Sequence, residues 1–252
     1  MNTEDYSRSD PPYVILWLRS FAFWVVFPVS IVFTAVLLLF TFPFSLRARW
    51  SLLQVWVRFI LWWLAVTCKL THEVHGSENI TDQPGIVFAK HQSTWETVAL
   101  QKIFPLQVWV AKRELMWIPF FGWGLSLMKC IAIKRGTGRA AVKQLVTQGK
   151  ARLAEGIWIV IFPEGTRIPA GQRGRYRIGG AVLAEQSGYP IVPVAHNAGE
   201  YWPRRSFIKH PGVIQVRIGP AISTDGKSAQ EILETASGWI EDRMAEITTL
   251  KP

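Results

Sequence analysis

Cysteine is nearly absent from this 252-residue chain: Cys68 and Cys130 are too few for a multi-bridge scaffold and sit in no CxxC or metal-type spacing. A reduced, cytosol-facing catalytic domain is the natural expectation. Internal repeats and low-complexity tracts are lacking as well, which removes repeat architectures. Acidic residues are in deficit, 18 against 28 basic, and the formal charge of +10 implies an anionic partner. Charge alone does not choose among nucleic acid, anionic lipid and phosphorylated small molecules. Clustered metal ligands are missing too: His72 and His75 superficially suit a metal, but no further ligands lie nearby, and a surface strand is the plainer reading.

Charge is missing altogether between Phe21 and Phe44. As a helix this run would extend about 36 Å, enough for a hydrocarbon core of roughly 30 Å. A second apolar stretch, Leu52 to Cys68, is interrupted by Arg58 and reads as either a second crossing or a half-inserted helix. Pro28 and Pro43 leave a helical hairpin open as the alternative to one crossing. The leader carries Glu4, Asp5 and Asp10 beside Arg8, and the apolar run is far longer than a signal-peptide core, so an uncleaved anchor is expected. Arg47, Arg49 and Arg58 follow the first run and place that end, and all that comes after it, on the cytoplasmic side.

What is abundant is apolar and aromatic: 49% of residues are hydrophobic, with 13 Trp and 14 Phe, much of this within the first seventy residues. After Lys69 the texture changes to short β-like runs at Ile86–Ala89, Gln107–Ala111, Cys130–Ile133, Ile157–Phe162, Ile191–Ala195 and Val213–Ile218. Helical spacing lies between and after them, over Arg139–Leu153 and over Ala229–Ile247. Strands alternating with helices predict an α/β domain with a mixed, largely parallel sheet covered on both faces. The division expected is an anchor over 1–68 and the α/β domain over 69–252.

Where the first strand ends, the sequence reads Lys90-His91-Gln92-Ser93-Thr94-Trp95-Glu96. Ser93 and Glu96 make the S-x-x-E pattern of a capping box, which predicts a helix from Ser93 and leaves His91 in the preceding turn, able to bend back to the carboxylate. A carboxylate on one ring nitrogen fixes the tautomer and frees the other to take a proton from an alcohol. The bland alternative is a helix cap beside a satisfied turn histidine. A second apolar strand runs into Phe162-Pro163-Glu164-Gly165-Thr166-Arg167, and ligands of open α/β sheets gather at such strand ends. Gly165 permits close backbone approach, and the guanidinium of Arg167 suits bidentate capture of a phosphate.

Together these segments resemble the lysophosphatidic acid acyltransferases, or 1-acyl-glycerol-3-phosphate acyltransferases, within the glycerophospholipid acyltransferases. His91 to Glu96 is similar to the family's first block, and Phe162 to Arg167 to its third. Between them Lys112, Glu114-Leu115, Pro119 and Gly122 resemble its K-x-E-L-x-x-x-P-x-x-G stretch, and Ile133-Lys134-Arg135 its arginine-bearing second block. Tyr176-Arg177-Ile178-Gly179 and Ile191-Val192-Pro193-Val194 resemble its aromatic-basic turn and fourth block. The likeness covers roughly Val74 to Ile222. Two departures stand out: Glu96 replaces the usual aspartate, and Lys134 stands where an aspartate is common.

The resemblance implies a membrane enzyme of phospholipid synthesis, on the cytoplasmic face of a bacterial-type inner membrane. It would move a fatty acyl group from acyl-CoA or acyl carrier protein to the sn-2 hydroxyl of 1-acyl-glycerol-3-phosphate, making phosphatidic acid. His91 and Glu96 would be catalytic; Lys112, Arg135, Glu164, Gly165, Thr166 and Arg167 would bind substrate. No cofactor, metal or nucleic acid is implied; the partners are the two substrates and membrane lipid. Another lysolipid acceptor, or a lipid-binding protein without turnover, are the rival readings. Among minor features, His196 reads as structural, Arg173, Arg175 and Arg177 as a solvated loop or phosphate contact, and Trp117, Phe120, Phe121 and Trp123 as acyl-channel, interfacial or core residues.

Overall fold

Tyr13–Phe40 forms one helix, α1, which begins eight residues before the uncharged run and passes through Pro28. The chain turns at residues 41–45, around Pro43, and Ser45 caps the next helix, α2 (Leu46–Cys68), its Oγ accepting the Ala48 N–H at 3.3 Å. The two helices pair as a hairpin, with its turn at Pro43 and no break at Pro28. The computed structural model describes residues 10–134 and 138–250; Arg135 and the leader residues Glu4, Asp5 and Arg8 lie outside the described residues. Of the three arginines expected to set orientation, Arg47 and Arg58 are exposed. Arg49 is instead structural: its guanidinium donates to the carbonyls of Thr41, Phe42 and Phe44 in the turn and, at 2.8 Å, to that of Leu127.

Past Lys69, which ends α2 in the left-handed region at φ 55°, the α/β domain begins. Its strands are β1 (Leu70–His75), β2 (Ile86–Ala89), β3 (Gln107–Lys112), β4 (Ile131–Ile133), β5 (Trp158–Ile161), β6 (Ile191–His196) and β7 (Gly212–Ile218). They form one sheet in the order β1-β7-β6-β2-β5-β3-β4. Every pairing is parallel except β6 with β7. The helices are α3 (Trp95–Ile103), α4 (Phe121–Leu127), α5 (Arg139–Ala154), α6 (Gly179–Ser187), α7 (Ala198–Tyr201) and α8 (Ala229–Ile247). The expected strands all appear within a residue of their predicted ends, and α8 has the bounds its apolar spacing predicts, with a complete capping box at Ser228 and Glu231. The short helices α4, α6 and α7 carry too few turns for a legible period.

Period-two alternation sorts β2 onto two cores. Val87 and Ala89 face a cluster that includes Phe23 and Phe27 of α1, Val57, Ile60 and Leu64 of α2, and Trp95 of α3. Ile86 and Phe88 face the opposite layer of α5, α6 and α8. The hairpin is thus one wall of the sheet's own core. A strap from residues 207 to 210 clasps α1 further: Trp24 Nε1–H donates to the Phe207 carbonyl at 3.0 Å, and the Lys209 N–H to Ser20 Oγ at 2.9 Å. The buried Lys209 ammonium lies 3.8 Å from the Trp24 ring centroid, and His210 meets Asp10 at 2.8 Å. The opposite faces of both helices are apolar and open, with Val14, Val29, Phe33, Val55 and Trp62 all more than half exposed.

Candidate active site

Four parallel strands, β2, β5, β3 and β4, end side by side, and the carboxyl ends of β2, β5 and β3 bring His91, the Glu164–Arg167 turn and Lys112 to the same end of the sheet. At the end of β2 the chain turns through His91 before entering α3, which starts at Trp95 and not at Ser93. The expected capping box is half formed. Ser93 Oγ accepts from the Trp95 N–H at 3.1 Å, while the Glu96 carboxylate folds back into the turn. There Glu96 Oε1 meets His91 Nδ1 at 2.8 Å and accepts the N–H groups of Gln92 and Ser93 at 2.9 and 2.8 Å. That first contact carries the carboxylate beyond a helix cap to the imidazole.

Glu96 is fully buried. Burial alone would raise its carboxyl, but the bond to His91, the nearby imidazoles of His196 and His91 and the Ser93 amide outweigh it and hold the group below the usual carboxylate range. An ionised Glu96 makes Nδ1 the protonated nitrogen of His91, so Nε2 carries the free lone pair. The ring is clamped as well: Phe162 stacks on it at 4.0 Å between centroids and 11° between planes. Backbone bonds fix the turn from below, His91 N–H donating to Glu164 Oε2 at 2.8 Å and its carbonyl accepting the Ile168 N–H at 2.7 Å. Proton acceptance at a single, aimed nitrogen is what this arrangement can do.

His91 lines an apolar cavity of about 440 Å³ together with Lys112 and Arg167. Its walls come from α1 and α2 (Phe27, Ile31, Leu38, Trp50, Leu53), from β3 (Trp109, Val110) and from α4 (Phe121, Leu125). Helix α4 closes one side, packed so that a Cβ on Gly124 would touch Ala35 and Leu38 of α1. Arg167 is half-buried, its carbonyl held by Arg204 at 2.9 Å. Lys112, at the end of β3, keeps a half-exposed ammonium 3.8 Å from Glu114. Gly165 turns at φ +68° beneath the Arg177 side chain, and Thr166 is exposed beside the cavity without lining it. Arg135 follows Lys134 at the end of β4 but lies outside the described residues.

Glu164 requires a correction. Expected to shape the pocket, its side chain is wholly buried and points inward, 2.8 Å from the ammonium of Lys90. Burial pushes its carboxyl up, with Lys90 and the His91 amide pulling it back. Lys90 and Phe162 belong to the site as well, though motif chemistry does not single them out. A lysine directly after an all-apolar strand was a signal for Lys90, since a buried ammonium needs acid partners. The remaining expectations sort simply. His196 is structural, its Nε2 donating to the Lys90 carbonyl at 2.8 Å while Nδ1 accepts the Ala198 N–H. His72 packs on Trp95. Trp117, Phe120 and Trp123 are exposed on the outer side of α4 and its approach, outside the core.

The sequence also matches known proteins. A family model described as Acyltransferase matches residues 71–197, which hold the His91 turn and the Glu164 to Arg167 turn. The 1-acyl-sn-glycerol-3-phosphate acyltransferase of Pseudomonas aeruginosa is 47% identical over 212 residues, covering 83% of this chain and 82% of that one. The protein of the same name from Saccharomyces cerevisiae is 32% identical, covering 71% of this chain and 59% of its own length. Among solved structures, the 1-acyl-sn-glycerophosphate acyltransferase PlsC of Thermotoga maritima aligns with a TM-score of 0.73 over 90% of this chain and 95% of that one; at 23% identity it speaks for the fold alone.

Proposed function

The chain belongs to the acyltransferase family, and from that premise we propose that it acylates the free hydroxyl of 1-acyl-glycerol-3-phosphate to give phosphatidic acid, with His91 as the base and Glu96 as its partner. The 2.8 Å contact between Glu96 Oε1 and the Nδ1 of His91, a residue that lines an apolar cavity, carries the assignment. His91 Nε2 takes the proton of the acceptor hydroxyl as its oxygen attacks the thioester carbonyl. The tetrahedral intermediate collapses, the carbon–sulfur bond breaks, and the imidazolium returns the proton to the departing thiolate. Acyl-CoA or acyl carrier protein serves as donor, and the thioester itself supplies the activation, so no cofactor is needed. Lys112 is suited to the developing oxyanion or to a phosphate, and Arg167, with Arg135, to the acceptor phosphate.

The same cavity supports a lipid substrate, because walls of Phe27, Ile31, Trp50 and Leu53 favour an acyl chain that runs from His91 toward the hairpin. Membrane attachment follows from the hairpin. Two helices long and apolar enough to cross a bilayer present open apolar faces that water would penalise. Their inner faces are part of the sheet's core, so we read the hairpin as seated in the bilayer surface beside the site, with the domain on the cytoplasmic side where acyl thioesters are found.

Purified protein supplied with labelled lysophosphatidate and each donor in turn tests the proposal, and phosphatidic acid is the expected product. In that assay Arg167→Lys keeps the charge and loses the planar fork. Its apparent KM for lysophosphatidate is expected to rise about tenfold, equivalent to about 1.4 kcal/mol, with little change toward the donor. A mutant impaired only toward the donor would move Arg167 to the thioester carrier's phosphates.

A further inference from the structure

The residue preceding the catalytic histidine holds a buried charge cluster for which the reaction has no use. Lys90 is 1% exposed, yet its ammonium lies 2.8 Å from Glu164 Oε1 and 2.8 Å from Glu241 Oε1, and donates to the Gln172 carbonyl at 3.4 Å. Glu241 Oε1 also accepts the Tyr176 hydroxyl at 2.7 Å. Burial, with the bond to Glu241, pushes that phenol up, so it remains a donor. The loop bearing Tyr176 roofs the cluster closely enough that a Cβ on Gly174 would stand 2.7 Å from Glu164 Oε1, and the Arg177 N–H bonds the Pro163 carbonyl at 2.8 Å.

The connections run in one direction. Glu241 stands on α8, outside the matched residues 71–197, and binds both Lys90 and Tyr176. Lys90 fixes one oxygen of Glu164, whose other oxygen receives the His91 N–H at 2.8 Å. One cation between two carboxylates would leave a surplus buried negative charge, and the phenol and the His91 amide, each donating to one carboxylate, offset it. From this geometry we propose that Glu241 is a positioning residue. Through Lys90, Tyr176 and Glu164, the C-terminal helix sets the height and tilt of the His91 turn, without touching substrate. The inference rests on the function proposed above.

The test compares the wild-type protein, Glu241→Ala and Glu241→Gln in the lysophosphatidate assay. Glu241 is partly open at its edge, and removing it leaves Lys90 paired one-to-one with Glu164, so both variants are expected to fold. Glu241→Ala should lower kcat about tenfold, the scale of a small misplacement of the catalytic group, with KM for either substrate within about twofold. Glu241→Gln keeps an oxygen for Lys90 and Tyr176 and should recover most of that loss. Tyr176→Phe should lower kcat alone but add nothing in the Glu241→Ala background, since both act through one network. Unchanged kcat in folded Glu241→Ala, a loss confined to KM, or independent effects of the two substitutions would overturn the proposal. Wild-type protein without phosphatidic acid formation would instead overturn the functional reading beneath it.

Discussion

His91→Ala is expected to leave a folded protein that still partitions with membranes, while acyl transfer to lysophosphatidate falls at least about a hundredfold, the lower range for losing a general base. The ring makes no bond that the fold needs. Its backbone N–H and carbonyl carry the links to Glu164 and Ile168, and alanine keeps both. The side chain's own partners are Glu96, in the same turn, and the face of Phe162. Phosphatidic acid formation per folded molecule, with circular dichroism as the folding control, is the measurement. Near-normal turnover would remove His91 from the mechanism.

That separation of backbone from side-chain roles also marks how far the sequence could be read. Strand positions were legible because short apolar runs such as Ile86–Ala89 and Ile191–His196 are buried on both faces, which leaves little choice of period. The order β1-β7-β6-β2-β5-β3-β4 was not legible, since pairing depends on long-range packing that local pattern does not encode. At the site, the types of residue suggested a chemistry: an imidazole five positions before an acid, and an arginine after a glycine turn. Direction was what remained hidden. Glu164 was expected to face the pocket, and only the position of Lys90 shows why it turns inward. Arg49 counts in the sequence as one of three charges that set orientation, and the four carbonyls that it gathers come from a turn and a distant helix, which no local pattern shows.

Glu96 separates orientation from charge. It occupies a site with no exposure, and a single oxygen serves the imidazole and two backbone amides at once. Glu96→Gln can retain those three bonds through its amide oxygen, yet it offers no negative charge when His91 becomes an imidazolium in a buried turn. The transition state bears most of that loss, so kcat is expected to fall about a hundredfold with KM little changed. Glu96→Asp keeps the charge one methylene further back; it loses some grip on the Gln92 and Ser93 amides but still faces Nδ1, and it should retain substantially more activity than the glutamine variant. Steady-state kinetics of the two variants side by side decide the matter. Equal losses would mean that Glu96 serves the turn and not the base, and the greater length of this carboxylate, compared with the family's usual aspartate, would then be explained by the two amides alone.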